Sequence, residues 1–156
     1  MDKIVSVRKI DEYYMNRALS LASRGQGAAS PNPMVGCVIV RDGQVIGEGY
    51  HARCGLGHAE VAALADLARR GGTARGAAVY VNLEPCSHFG RTPPCAPRLV
   101  EEGVARVVAG MADPNPRVNR GGLDILRAGG VEVDGPCLES ECRWLNRGFI
   151  RVQTLG

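Results

Sequence analysis

Apolar residues recur at helical spacing between Asp11 and Ala22, at Tyr14, Met15, Ala18, Leu19 and Ala22. This spacing predicts a first helix with Asp11 as N-cap, an Ile10–Met15 staple and Gly25 just past its end. Met34 to Val40 is rich in β-formers, Asp42-Gly43 is a hairpin turn, and Gln44 to Gly49 reads as the return strand. A second helix follows from Ala59 to Arg70, with Val61, Leu64, Ala65 and Ala68 on one face and Gly71-Gly72 as its stop. Ala77 to Leu83 is a third strand that delivers Glu84, Pro85 and Cys86 at its C-terminal end. A polar loop then leads to a short helix at Cys95 to Glu102, stopped by Gly103. Arg106 to Gly110 is a strand, Leu123 to Ala128 a helix and Val131 to Val133 a short fifth strand. Strands alternating with helices after an opening hairpin predict an α/β fold whose mixed, five-stranded sheet is covered on both faces. Residues at strand C-termini and helix N-termini are then the ones placed for ligand binding.

The chain has 156 residues, enough for one domain with a real core and too few for two full ones. Nineteen basic and sixteen acidic side chains leave a net charge of +3 without a basic run or interleaved aromatics, so charge does not call for nucleic acid. The N-terminal stretch MDKIVSVRKIDEYY lacks the apolar core of a signal peptide, and no segment approaches the ~20 apolar residues of a membrane span. A cytoplasmic protein without a membrane partner is expected. Of six cysteines, Cys86 and Cys95 fall in a motif with histidine and glutamate, which suits thiolates in a reducing compartment. Cys37, Cys54, Cys137 and Cys142 read as ordinary buried or half-buried thiols.

The blocks His58-Ala59-Glu60, Pro85-Cys86 and Pro94-Cys95 together offer one imidazole, one carboxylate and two thiols. A catalytic zinc takes three protein ligands and keeps its fourth position open for water. His58, Cys86 and Cys95 supply three, with one zinc expected per chain. Glu60, two residues from His58 on the first helical turn, is then free to carry protons. A closed structural site is the competing reading, with Cys54, His51 or His88 as the fourth ligand. It is disfavoured because structural sites pair ligands in short Cys-x-x-Cys knuckles, whereas eight residues separate these cysteines.

His-Ala-Glu followed by Pro-Cys and a second Cys resembles the zinc-dependent cytidine deaminase superfamily, in which activated water attacks an amidine carbon of a nitrogen heterocycle. Within it, PCSHFGRTPPC at 85 to 95 resembles the deaminase domain of the bacterial bifunctional riboflavin-biosynthesis deaminase/reductases. So do SPNPMVGCVIV at 30 to 40, GEGYHARCGLGHAEV at 47 to 61, VNLEPCSHFGRTPPC at 81 to 95 and DPNPRV at 113 to 118. The resemblance implies a three-layer α/β/α cytidine-deaminase-like fold with residues 1–150 as the deaminase domain. Residues 151–156 are then a tail at the point where the family's reductase domain would begin. It implies hydrolytic loss of the 2-amino group of 2,5-diamino-6-(5-phosphoribosylamino)pyrimidin-4(3H)-one as ammonia, with His58, Cys86 and Cys95 as zinc ligands and Glu60 as proton shuttle. Asn32, His51, His88, Arg91, Thr92, Asp113 and Asn115 become candidates for holding the phosphorylated pyrimidine, and a homodimer or homotetramer is expected.

Alternatives remain at this level. Asn32, Asp113 and Asn115 sit in Pro-flanked turns where Asx residues serve local structure. A related aminohydrolase would act on a free base, nucleoside or pterin-like ring, and a zinc-stabilised nucleotide- or RNA-binding module would need no Glu60. The chain also departs from the family after DPNPRV, where Asn119-Arg120-Gly121-Gly122 replaces the usual small residue and glycine.

Overall fold

The computed structural model describes residues 3–25, 32–52, 57–87, 93–116 and 119–155. The elements run in the order α1 (Lys3–Ala22), β1 (Gly36–Arg41), β2 (Gln44–Tyr50), α2 (Ala59–Arg69), β3 (Ala78–Val81), α3 (Cys95–Glu101), β4 (Arg106–Ala109), α4 (Gly121–Ala128), β5 (Glu132–Asp134), α5 (Glu139–Leu145) and α6 (Arg147–Leu155). The strands form one mixed sheet in the order β2-β1-β3-β4-β5. β1 pairs antiparallel with both β2 and β3, while β3, β4 and β5 are parallel. Asp42 and Gly43 both have positive φ, 52° and 73°, as a two-residue hairpin turn requires.

Side chains alternate across the sheet with the period of two that strands impose. Cys37, Ile39, Val79, Val81, Val107 and Ala109 face a core built with Ala63, Leu67, Leu99 and Leu126 of α2, α3 and α4. Val38, Val40, Tyr80 and Val108 face the other way, onto Tyr14, Met15, Ala18 and Leu21 of α1 and Cys142 of α5. The expected three-layer α/β/α arrangement is therefore present. Cys37 and Cys142 are buried in these two cores and Cys137 is half-buried, as ordinary thiols. Cys54 lies outside the described residues.

Two expectations fail at α1, the Asp11 cap and the Ile10–Met15 staple. α1 begins at Lys3, so Asp11 is inside the helix and not its cap. Its carboxylate accepts both terminal nitrogens of Arg106 at 2.8 Å and the Tyr80 hydroxyl at 2.9 Å. Ile10 is exposed while Met15 is fully buried, so no staple forms. At the other end α5 and α6 follow the fifth strand, and the expected boundary at residue 150 falls inside α6. Among the described residues no helix is long and apolar enough to cross a membrane.

Candidate metal centre

The C-terminal ends of the parallel strands and the starts of α2 and α3 meet at one point. His58 is the N-cap residue of α2, Cys86 follows β3, and Cys95 is the first residue of α3 after Pro94. Nδ1 of His58 lies 3.3 Å from Sγ of Cys95 and 3.6 Å from Sγ of Cys86. All three ligand atoms are within 4.8 Å of one another. A tetrahedral zinc with Zn–N near 2.0 Å and Zn–S near 2.3 Å sets N···S edges of about 3.6 Å, so the cluster has the dimensions of a zinc site before any adjustment.

The two thiols interact electrostatically. Cys86 is pulled down to about 4, because the Cys95 thiol donates to it, against the opposing cost of burial and with help from His58. The Cys95 backbone N–H also points at the Cys86 sulfur, at 3.1 Å. Cys95 moves the other way, since it shares its proton with an existing thiolate in a buried place. Without a cation the pair holds one negative charge, and a dication supplies what a second thiolate needs.

Glu60 stands in the first turn of α2 and is almost fully buried, 4% exposed. Burial raises its carboxyl to about 7, the Cys86 charge adds to this, and His58 opposes it. A carboxyl poised near neutrality both takes and gives protons at physiological pH.

A cavity of about 160 Å³ opens over this cluster, and Asn32, His51 and Asp113 line it together with His58, Glu60 and Cys86. His51 is buried and engaged on both ring nitrogens. Nδ1 lies 3.2 Å from the Gly57 carbonyl oxygen, which only accepts, so Nδ1 carries the proton and Nε2 accepts from Asn32 Nδ2 at 3.3 Å. His51 therefore orients Asn32 and is no fourth ligand. Among the described residues only His58, Cys86 and Cys95 form a metal-sized group.

Asp113 both lines the cavity and makes an Asx turn, its Oδ1 accepting the Asn115 N–H at 2.8 Å. Asn115 is tied sideways, donating through Nδ2 to Gln153 at 3.4 Å. Asn119 completes the turn, donating through Nδ2 to the Asp113 carbonyl at 2.9 Å. The departure at Asn119-Arg120 thus has a local purpose. His88, Arg91 and Thr92 lie outside the described residues.

Sequence reasoning noted Glu84 at the strand end but gave it no role. Its buried carboxylate collects backbone N–H groups: Asp113 and Arg120 on Oε1, each at 2.9 Å, and Gly122 on Oε2 at 2.9 Å, with Leu123 at 3.4 Å. The start of α4 is pressed against the strand end, and a Cβ at Gly122 would run into the Pro85 carbonyl oxygen. A carboxylate at the end of a strand that is apolar from Ala77 to Val81, just before Cys86, was the available signal.

Residues 8–111 match the family described as the cytidine and deoxycytidylate deaminase zinc-binding region. The chain belongs to that family. Among curated deaminase-family relatives, the riboflavin biosynthesis protein RibD of Escherichia coli is 55% identical over 146 residues, 94% of this chain and 39% of the relative. Among solved structures, Acinetobacter baumannii RibD superposes with a TM-score of 0.90 at 48% identity, over 94% of this chain and 40% of that one. A Thermotoga maritima protein superposes equally well, TM-score 0.90 at 42% identity, over 95% of this chain and 42% of that one. It is described as a diaminohydroxyphosphoribosylaminopyrimidine deaminase/5-amino-6-(5-phosphoribosylamino)uracil reductase. The chain spans about two fifths of the length of these relatives. The deaminase family membership and its zinc accord with the resemblance drawn from the motifs.

Proposed function

We propose that this protein hydrolyses the 2-amino group from 2,5-diamino-6-(5-phosphoribosylamino)pyrimidin-4(3H)-one, giving 5-amino-6-(5-phosphoribosylamino)uracil and ammonia in riboflavin biosynthesis. The observation that carries the reading is the His58, Cys86 and Cys95 cluster facing a pocket in which a buried Glu60 has no ligand duty. The substrate comes from the relatives, one of which bears this deaminase activity in its description.

In this reading His58, Cys86 and Cys95 hold zinc. Zinc with an open position supplies the Lewis acidity that makes water a nucleophile near neutral pH. Glu60, in the first turn of α2, lining the pocket and outside the metal-sized group, would accept a proton from that water and deliver it to the departing amine. His51 keeps the Asn32 amide turned with its nitrogen toward the imidazole, so Asn32 enters the pocket in one orientation. The Asp113 turn, fixed through Glu84, closes another side. In this reading His88, Arg91 and Thr92 are the remaining substrate contacts, with Arg91 and Thr92 suited to the ribose phosphate, while Asn115, bound to Gln153 and absent from the cavity lining, braces the Asp113 turn.

The reading extends to residues 1–150 as the deaminase unit in a reducing, cytoplasmic setting that keeps the free thiols reduced. It also includes a homodimer or homotetramer. The exposed Ile4, Ile10 and Tyr13 of α1 and Trp144 of α5 support association. Ammonia release by zinc-loaded protein from the diaminopyrimidine phosphate, with cytidine and guanine as controls, tests the activity. Turnover of cytidine or guanine alone would overturn the substrate, and zinc-loaded protein inert to all three would overturn the enzyme reading.

A further inference from the structure

Asn32, Pro33 and Val35 form one wall of the cavity over the metal cluster. This segment precedes β1 and belongs to no helix or strand, so the sheet does not set its path. Backbone N–H and C=O groups outside regular structure need other partners when they leave water. The Val35 carbonyl accepts the His51 N–H at 3.0 Å, and the Gly36 N–H donates to Asn82 Oδ1 at 2.8 Å. Met34, one step nearer to Asn32, gives both of its backbone groups to a single side chain 112 positions away.

That side chain is Asn146, buried at the junction of α5 and α6. Its Oδ1 accepts the Met34 N–H and its Nδ2 donates to the Met34 carbonyl, each at 2.8 Å, so only one orientation of the amide satisfies both. Asn82 Nδ2 donates to the same carbonyl at 3.0 Å, from the end of β3. The backbone of Asn146 is committed on both sides. Its N–H donates to the Cys142 carbonyl of α5 at 3.3 Å, and its own carbonyl accepts the Ile150 N–H of α6 at 2.9 Å. Asn146 therefore holds Met34 from a fixed point of the fold. Met34 leads to Asn32 through Pro33, whose ring fixes its own φ and confines the residue before it to extended backbone. The Asn32 amide then meets His51 Nε2 at 3.3 Å.

We propose that Asn146 is a positioning residue for the deamination: by fixing Met34 it sets the place from which the Asn32 amide meets the edge of the substrate ring. The inference rests on the deaminase reading above. Asn146 lies beyond residue 111, where the family match ends, and outside the cavity lining, so it acts only through the segment it holds. Asparagine suits this task because it offers a donor and an acceptor side by side, matching the N–H and C=O of one residue. A carboxylate of the same shape would set lone pairs against the Met34 carbonyl, and a methyl group would leave the Met34 N–H without its acceptor. In either case Asn82 still holds the Met34 carbonyl and the Gly36 N–H. The segment then loosens toward Asn32 while β1 and the metal cluster keep their places.

The test uses the zinc-loaded chain, with two readouts on 2,5-diamino-6-(5-phosphoribosylamino)pyrimidin-4(3H)-one: steady-state ammonia release, and calorimetric binding in a Glu60→Gln background. Asn146→Ala should raise both KM and Kd by about 10-fold, the scale of one lost hydrogen bond, with a smaller change in kcat and with zinc content retained. Asn146→Asp, which keeps the side-chain volume, should do the same and carries the test should the alanine variant fail to fold. Asn32→Ala alone should raise KM by a similar factor. Adding Asn146→Ala to it should then change KM by less than about 2-fold, because a displaced wall matters only while Asn32 reads the ring. A general structural role would show its full effect in both backgrounds. Effects of the two alanine substitutions that multiply, unchanged KM and Kd in either single variant, or loss of zinc or fold in both Asn146 variants would overturn the assignment. If the unsubstituted protein neither binds nor deaminates the compound, the functional reading fails and this inference with it. If the unsubstituted protein turns over normally and Asn146→Ala matches it, this inference alone fails.

Discussion

Replacing Glu84 by glutamine changes one atom and reverses the role of half the side chain. The carboxylate receives three backbone N–H groups at 2.9 Å and a fourth at 3.4 Å, two on each oxygen. Glutamine keeps one acceptor oxygen and turns an NH2 group toward the other pair. If the oxygen stays with Asp113 and Arg120, the Gly122 N–H faces a donor in a buried place. A buried N–H without its acceptor costs about 1 to 3 kcal/mol, and the surviving bonds lose the strengthening that charge gave them. A total near 3 kcal/mol follows, which for a chain of this size lowers Tm by about 6 to 12 °C.

The loss is also directional, because the N–H groups belong to the turn bearing Asp113 and to the start of α4. The Glu84→Gln protein should bind zinc, since His58, Cys86 and Cys95 are untouched, and should show a raised KM as the Asp113 turn shifts. Thermal unfolding, zinc analysis and ammonia-release kinetics on the same preparation separate these effects. A melting temperature within about 2 °C of the unsubstituted protein would refute the reasoning, since it would mean that Glu84 satisfies nothing the chain needs.

Cys86→Ser or Cys95→Ser should lose most of the zinc by elemental analysis, as a weakly binding hydroxyl replaces a thiolate, while Glu60→Gln should retain zinc and lose at least ~10²-fold in turnover. Full zinc occupancy in both serine variants would reject the ligand set. Arg106→Leu should destabilise the fold by about 3 kcal/mol in denaturant unfolding, because Asp11 would be left charged and buried. Asp11→Leu combined with it should recover part of that loss, and strict additivity of the two would contradict the argument. The dephosphorylated substrate should lose at least ~10-fold in kcat/KM, and Arg91→Ala should erase most of that difference; equal turnover of both compounds would remove the phosphate from recognition.

The elements that sequence pattern located are those that bury a stripe. β1, β3 and β4 put apolar side chains on both faces of the sheet, and α2 through α4 each offer apolar residues to one core. The first turns of α1 offer nothing of the kind. Ile4, Val5, Val7 and Ile10 are all exposed, so periodicity starts only where the helix reaches the sheet, and Asp11 resembles a cap there. Its actual partner, Arg106, is far along the chain and leaves no local trace. α5 fully buries Cys142 alone, and α6 fully buries no residue, its Ile150 being only partly packed on the α1 side of the core.

The same distinction divides the site. The His58, Cys86 and Cys95 cluster, which could hold a metal ion, is legible because metal chemistry restricts both residue type and spacing, and three short blocks meet that demand without reference to the rest of the fold. The pocket walls are assembled by polar side chains that reach backbone groups distant in sequence: Asn146 to Met34, Asn82 to Gly36 and Glu84 to the 113–123 segment. Each of these side chains is buried, and among the described residues no buried side-chain nitrogen or oxygen lacks a partner. Buried polar groups are costly unless satisfied, so each one fixes the segment that satisfies it. Asn82 and Asn146 together hold residues 34 to 36, on which Asn32 depends, and Glu84 holds the turn that carries Asp113. Strand β3 thus positions one metal-binding residue and, within the same few residues, two anchors for opposite walls of the pocket. A change that displaces its C-terminal end should therefore disturb the His58, Cys86 and Cys95 cluster and both pocket walls together.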